Sequence, residues 1–265
     1  MRIGVITGTG TYALPGYGES AAEAVATPYG DALIARGHGD EGLEVLHVSR
    51  HGEGHRRLSN QVDHRANIAA LAELEADAVL AVTVCGAVDP SVELGSLIVF
   101  DDLHFLANRL PDGSLCSFYS EPGDPRRGHW IFEGPFSEGL RSVLAAGAEA
   151  AGLPHRAGGC YGHVDGPRFN TRAEIRGLAA CGVTAVSQTA GPEAVLCGEA
   201  ELPYALLGYA TDYANGVKDA ATPVEDLLAL IERSTEVFSS ALAATLPRLE
   251  GAGPAPSGVV YRFEG

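Results

Sequence analysis

The sequence predicts an α/β protein: a single domain over residues 1–250, with a mixed, largely parallel central sheet flanked by helices, and a flexible tail over 251–265. Three observations carry this. Apolar runs of strand length at residues 3–6, 43–49, 78–84, 183–187 and 204–210 alternate with helix-length segments at 63–76, 136–151, 171–181 and 222–246. The run at 78–84, AVLAVTV, is nearly apolar throughout, as a parallel strand covered on both faces should be. Polar residues recur just after strands, at Thr9, Arg50, Thr83, Thr189 and Asp212, and in an open α/β sheet such positions converge on one edge.

Composition narrows the function. Hydrophobic residues make up 46% of the 265, enough for a large core, and no apolar run reaches the roughly 18 residues that span a bilayer. The opening MRIGVITGTG reads as a first strand and turn rather than a signal peptide. A formal charge of -16, from 34 acidic and 18 basic residues, argues against nucleic acid or an anionic membrane as partner. An anion must therefore be held by a local cluster of donors. The five scattered cysteines contain no CxxC pair and fit a reduced, cytoplasmic protein.

Taken in order, the strand at 3–6 runs into Gly8, Thr9 and Gly10, a turn that is either structural or a phosphate cradle of backbone N–H groups and a hydroxyl. Residues 32–35 and 43–49 are strands, and the second ends in Arg50, His51, Gly52, Glu53, Gly54 and His55. His51 and His55 are four apart, but the glycines between them disfavour a helix and hence a metal site; an anion or plain solvation suits them better. Residues 63–76 are an amphipathic helix, and the strand at 78–84 stops at Cys85 and Gly86. After a strand at 97–100, residues 101–135 form a long irregular insertion rich in aromatics, suited to a subunit interface or a lid. A helix at 136–151 ends at Gly152 and Pro154.

The central stretch, 161–193, contains two strand-to-helix junctions: a strand at 157–164, a polar loop at 165–170, a capping box of Thr171 and Glu174, a buried strand at 183–187, and a helix at 192–200. The strand at 204–210 is followed closely by Asp212, and a second capping box, Thr222 with Glu225, opens the last helix.

These residues resemble the methylthioadenosine phosphorylase branch of the trimeric purine nucleoside phosphorylases. The matching segments are IGVITGTG at 3–10, Arg50, His51, Gly52 and His55, then Arg65, Ala66 and Asn67, and residues 83–86. Further along come Gly166, Pro167, Arg168 and Phe169 with the 171–174 box, then Thr189, Pro192, Glu193 and Ala194, and finally Thr211, Asp212 and Tyr213. The resemblance implies cleavage of a purine nucleoside by inorganic phosphate, most simply 5′-methylthioadenosine, by a homotrimer with no metal or organic cofactor. It places phosphate at Thr9, Arg50, His51, Thr83 and Thr189. The base is assigned to Phe169, which stacks, and to Asp212, which shares a proton with the leaving purine. His129 from a neighbouring subunit, with Val224 and Leu228, is implied at the 5′ end.

Three departures bear on specificity. Gln188 stands where the family usually has a methionine against the ribose, and an amide there is expected to bond a substrate hydroxyl or the phosphate. Ala214 stands where members acting on 6-aminopurines carry a second aspartate, which leaves a 6-oxopurine or an unusual nucleoside as the alternative substrate. Asp165 replaces a more usual glutamate. A non-catalytic nucleoside-binding protein is the alternative from another class, but the expected phosphate residues are all retained.

Overall fold

The computed structural model describes residues 1–11, 13–14, 16–18, 20–39, 42–249 and 251–263. Glu250 at the expected end of the domain, and Glu264 and Gly265 in the tail, lie outside the described residues.

The first strand, β1 (Arg2–Thr7), lies between β4 (Glu44–Ser49) and β5 (Ala78–Ala87), parallel to both. An antiparallel hairpin, β2 (Glu23–Thr27) and β3 (Gly30–His38), extends the sheet beyond β4. Only residues 32–35 of β3 read as a strand in the sequence, and β2, largely exposed, has no apolar signature. The helix α1 (His64–Glu73) is capped by Asp63, which accepts from the Ala66 N–H.

β5 organises the sheet. It runs on to Ala87, through the Cys85 and Gly86 where the sequence suggested a stop, because β12 (Tyr204–Tyr213) pairs with it in parallel along almost its whole length. On its other edge β1 pairs with residues 78–81, whereas β11 (Val183–Ser187) pairs antiparallel with Gly86 and Ala87. Residues 82–85 lie between these partners, where β1 and β11 part, and a crevice opens over them. The far side is completed by β6 (Leu97–Val99), β7 (Asp102–His104), β9 (His155–Ala157) and β10 (Cys160–His163).

Helices α2 (Glu138–Ala150) and α5 (Val224–Thr245) cover one face, where Leu140, Leu144, Phe238 and Leu242 pack on Val5, Leu80 and Leu207. On the other, α1 and α4 (Ala190–Glu199) pack on Ile6, Val79 and Leu206. The capping box of α3 (Arg172–Ala180) forms as expected, with Thr171 and Glu174 each bonding the other's backbone N–H. That of α5 does not: its N-cap is Pro223, and the Thr222 hydroxyl instead accepts from the Tyr213 N–H.

The insertion contributes β8 (Gly128–Ile131), which pairs antiparallel with β13 (Val259–Arg262). The Gly- and Pro-rich tail expected to be flexible is thus paired, and it is held further by bonds from Trp130 Nε1 to the Ser257 carbonyl and from the Ser137 hydroxyl to that of Ala255.

Candidate active site

A cavity of about 290 Å³ opens over the parting of β1, β5 and β11. Thr9, His51, Thr83, Phe169, Gln188, Thr189, Asp212 and Ala214 all line it, although they come from six separate parts of the chain.

One end is rich in hydrogen-bonding groups. The turn at Gly8, Thr9 and Gly10 is braced from three sides. The Thr7 hydroxyl donates to the Thr11 carbonyl, so its bond to His47 Nε2 must be donated by the imidazole. From α5, the Thr235 hydroxyl donates to the Gly10 carbonyl. Thr83 and Ser187 share a hydroxyl bond of 3.0 Å across the crevice. Ser187 carries no assigned role in the sequence, where it reads as the end of a β-strand. Thr189 is the N-cap of α4 but spends no side-chain bond on capping, so its buried hydroxyl remains available beside the positive end of the helix dipole.

Arg50 corrects an expectation. It does not line the cavity; it is fully buried behind it, with Nε and Nη2 donating to both carboxylate oxygens of Glu193 at 2.5 and 2.7 Å. Its Nη1 donates to the Val82 carbonyl, one of those exposed by the parting of the strands. The fork expected for phosphate is therefore occupied by a carboxylate, and the pair as a whole is neutral. Glu193 also accepts from the Tyr204 hydroxyl and lies 3.6 Å from His64 Nδ1. Arg50 still reaches the cavity wall from behind, because a Cβ on Gly8 would come within 3.0 Å of Nη1.

His51 does face the cavity. Its Nδ1 must carry a proton to bond the Arg57 carbonyl, so a neutral ring presents Nε2 as an acceptor, suited to the hydroxyl of hydrogen phosphate. Burial, reinforced by Arg50 and His55, pushes its pKa down to about 4, and the ring stacks on His55 with centroids 4.3 Å apart.

The other end is shaped by a bulge in β12. Ala210 pairs with Cys85 and Asp212 with Gly86, so Thr211 is the extra residue; Asp212 lies inside the strand rather than beyond it. Burial raises the Asp212 pKa, while a bond from the Thr211 hydroxyl to Oδ1 opposes the rise. Phe169 is 64% exposed, a ring presented at the wall rather than packed in the core. Ala214 contributes a methyl group, and Asn170 and Asn215 are nearby lining residues that the sequence did not single out.

The 5′ assignments are not brought into this cavity. Val224 and Leu228 are 66% and 58% exposed, and Leu227 and Ile231 of α5 line the wall instead, since each residue turns a helix by about 100°. His129 sits on β8 in a different cavity with Phe105 and Trp130. Gln188 does line the site, but its amide already bonds the protein: Oε1 accepts from the Ser59 hydroxyl at 2.8 Å and Nε2 donates to the Arg168 carbonyl at 3.1 Å.

Comparison with known proteins gives a consistent result. The model of the Phosphorylase superfamily matches residues 2–247. A 6-oxopurine nucleoside phosphorylase of Pyrococcus furiosus is 32% identical over 251 residues, 93% of this chain and 92% of its own. A probable S-methyl-5′-thioinosine phosphorylase of Xanthomonas campestris is 34% identical over 255 residues, covering 94% of this chain and 97% of its own. Among solved structures, methylthioadenosine phosphorylase from Schistosoma mansoni in complex with adenine superposes with a TM-score of 0.83 at 25% identity, over 94% of this chain and 92% of that one.

Proposed function

This chain belongs to the phosphorylase superfamily, and from that premise we propose that it cleaves a purine nucleoside with inorganic phosphate, releasing the free base and a pentose 1-phosphate. The observation that carries the reading is a single cavity with two chemically different ends: hydroxyl and backbone donors at Thr9, Thr83 and Thr189, and an aromatic ring with a carboxyl whose pKa burial raises at Phe169 and Asp212. Phosphate held at the first end attacks the anomeric carbon as the bond to the purine breaks. The electron pair of that bond leaves with the base, and a proton held by Asp212 compensates it. Holding both reactants in one cavity supplies much of the acceleration.

The substrate favoured is a 6-aminopurine nucleoside, most simply 5′-methylthioadenosine, because Asp212 can both accept from an exocyclic amine and share the proton at N7. A 6-oxopurine nucleoside is the second reading, supported by the names of the relatives above and by the methyl of Ala214. Phosphate is the only co-substrate this chemistry needs. Exposed Leu106, Leu115, Ile131 and Phe132 fit a subunit interface, and we take the assembly to be a homotrimer, in which His129 of one subunit would approach the 5′ end of the next. We assign the enzyme to purine salvage in the cytoplasm, in keeping with its free cysteines.

Release of base from 5′-methylthioadenosine, adenosine, 5′-methylthioinosine, inosine and guanosine, with and without phosphate, tests the reading. Phosphate-dependent release is expected, fastest from the first. Release without phosphate, or from none of the five, would overturn it; a preference for the oxo substrates would select the second reading. Sedimentation showing an active monomer would remove the trimer.

A further inference from the structure

The segment that presents Phe169 has little of the core to rest on. Residues 165–170 are mostly exposed and follow β10, whose last ladder bond runs from the Val164 N–H to the Ser187 carbonyl. At its far end the loop is tied to α3. Arg168 forms a two-pronged pair with Glu174, and the Asn170 carbonyl accepts from the Asn215 side chain. Those ties are exposed, and exposed ion pairs hold a loop weakly.

Gln188 supplies a tie on the inner side. The Arg168 carbonyl can only accept, which fixes the amide nitrogen toward it and the amide oxygen toward Ser59. Ser59 is buried in the short 3-10 turn Ser59–Gln61, just beyond the segment that carries His51 and His55. The loop backbone is pressed against this junction, since a Cβ on Gly166 would lie 2.0 Å from Gln188 Oε1 and 2.2 Å from Ser59 Oγ. One side chain thus joins three segments that line the cavity: the end of β11, the loop of Phe169, and the turn behind His51.

Building on the phosphorolytic reading, we propose that Gln188 is a positioning residue, a latch that with Ser59 holds the 165–170 loop and its Phe169 in place for the base. The side chain expected to contact substrate instead acts through Phe169. A methionine at this position has no donor for the Arg168 carbonyl and only a weakly accepting sulfur for Ser59.

Ser59→Ala, Gln188→Met and the double variant test the latch by steady-state kinetics and by amide exchange of residues 165–170 in the ligand-free protein. Each single variant is expected to raise the nucleoside KM roughly three- to tenfold, the scale of losing one or two hydrogen bonds, with a smaller change in the phosphate KM. The double variant should be no worse than Gln188→Met, and all three should exchange faster. An effect of Gln188→Met with none of Ser59→Ala, additive effects in the double variant, or unchanged exchange would each overturn the latch. If the wild-type protein shows no phosphate-dependent turnover, the functional reading fails, and the exchange data still decide the latch.

Discussion

Glu193→Gln removes the charge that balances Arg50 while keeping nearly the same shape. Both partners are essentially inaccessible to water, the guanidinium has two of its donors on this carboxylate, and Tyr204 adds a third bond to it. Burial by itself would raise the Glu193 pKa, but the adjacent Arg50 charge and its hydrogen bonds hold it well below the usual carboxylate range. Breaking such a pair from one side leaves a buried charge uncompensated and costs about 3–5 kcal/mol. For a chain of this size each kcal/mol shifts the melting midpoint by about 2–4 °C, so a drop of roughly 6–20 °C is expected in calorimetry. Because Nη1 lies just behind Gly8, the released charge should strengthen the attraction for phosphate; added phosphate should raise the midpoint of the variant more than that of the wild type. Arg50→Met with Glu193→Leu, which removes both charges, should recover much of the stability and lose that extra response. A loss below about 1 kcal/mol for Glu193→Gln would refute the argument that this pair is a buried, tightly bonded unit.

Three other outcomes follow from the same geometry. Asp212→Asn should lower kcat on 5′-methylthioadenosine by about 100-fold or more at neutral pH, the scale of losing a positioned proton donor, and move the preference toward inosine; parallel kinetics on both nucleosides check this. Phe169→Ala should raise the nucleoside KM by about tenfold, in the range for loss of an aromatic stack on a base, with little change in melting temperature because the ring is 64% exposed. Stability should fall on acidification. Burial depresses His51 and His163 to about 4 and about 3, so the unfolded chain binds the extra protons; the neutral-form advantage is complete above about pH 6.5 and is lost as pH falls through those values. Urea unfolding between pH 7.5 and 4.5 should show the decline, at most about 3 kcal/mol per histidine, and His51→Asn should remove about half of it, leaving the part due to His163.

Much of the fold and part of the site were legible without coordinates. Apolar runs revealed the interior strands because burial on both faces leaves no room for polar alternation, and Thr171 with Glu174 marked a helix start because that bond pattern is local. β2, β8 and β13 were missed because exposed or two-stranded pairings demand no particular residues. The cavity-lining role of Thr9, His51, Thr83, Thr189 and Asp212 was readable from their places near strand ends.

What the sequence by itself determined, then, is the alternation of strands and helices and the gathering of polar residues at one sheet edge, both consequences of local periodicity. Tertiary structure alone decided how those side chains are used. Arg50 carries the same fork whether it meets phosphate or Glu193, which lies 143 residues away, and only packing brings the carboxylate to it. Gln188 could as well have met a sugar; its bonds to Ser59 and Arg168 arise because β11, the 3-10 turn and the base loop converge where the sheet parts. Local chemistry selects the residues, whereas long-range contacts select which of their hydrogen bonds remain free for a ligand.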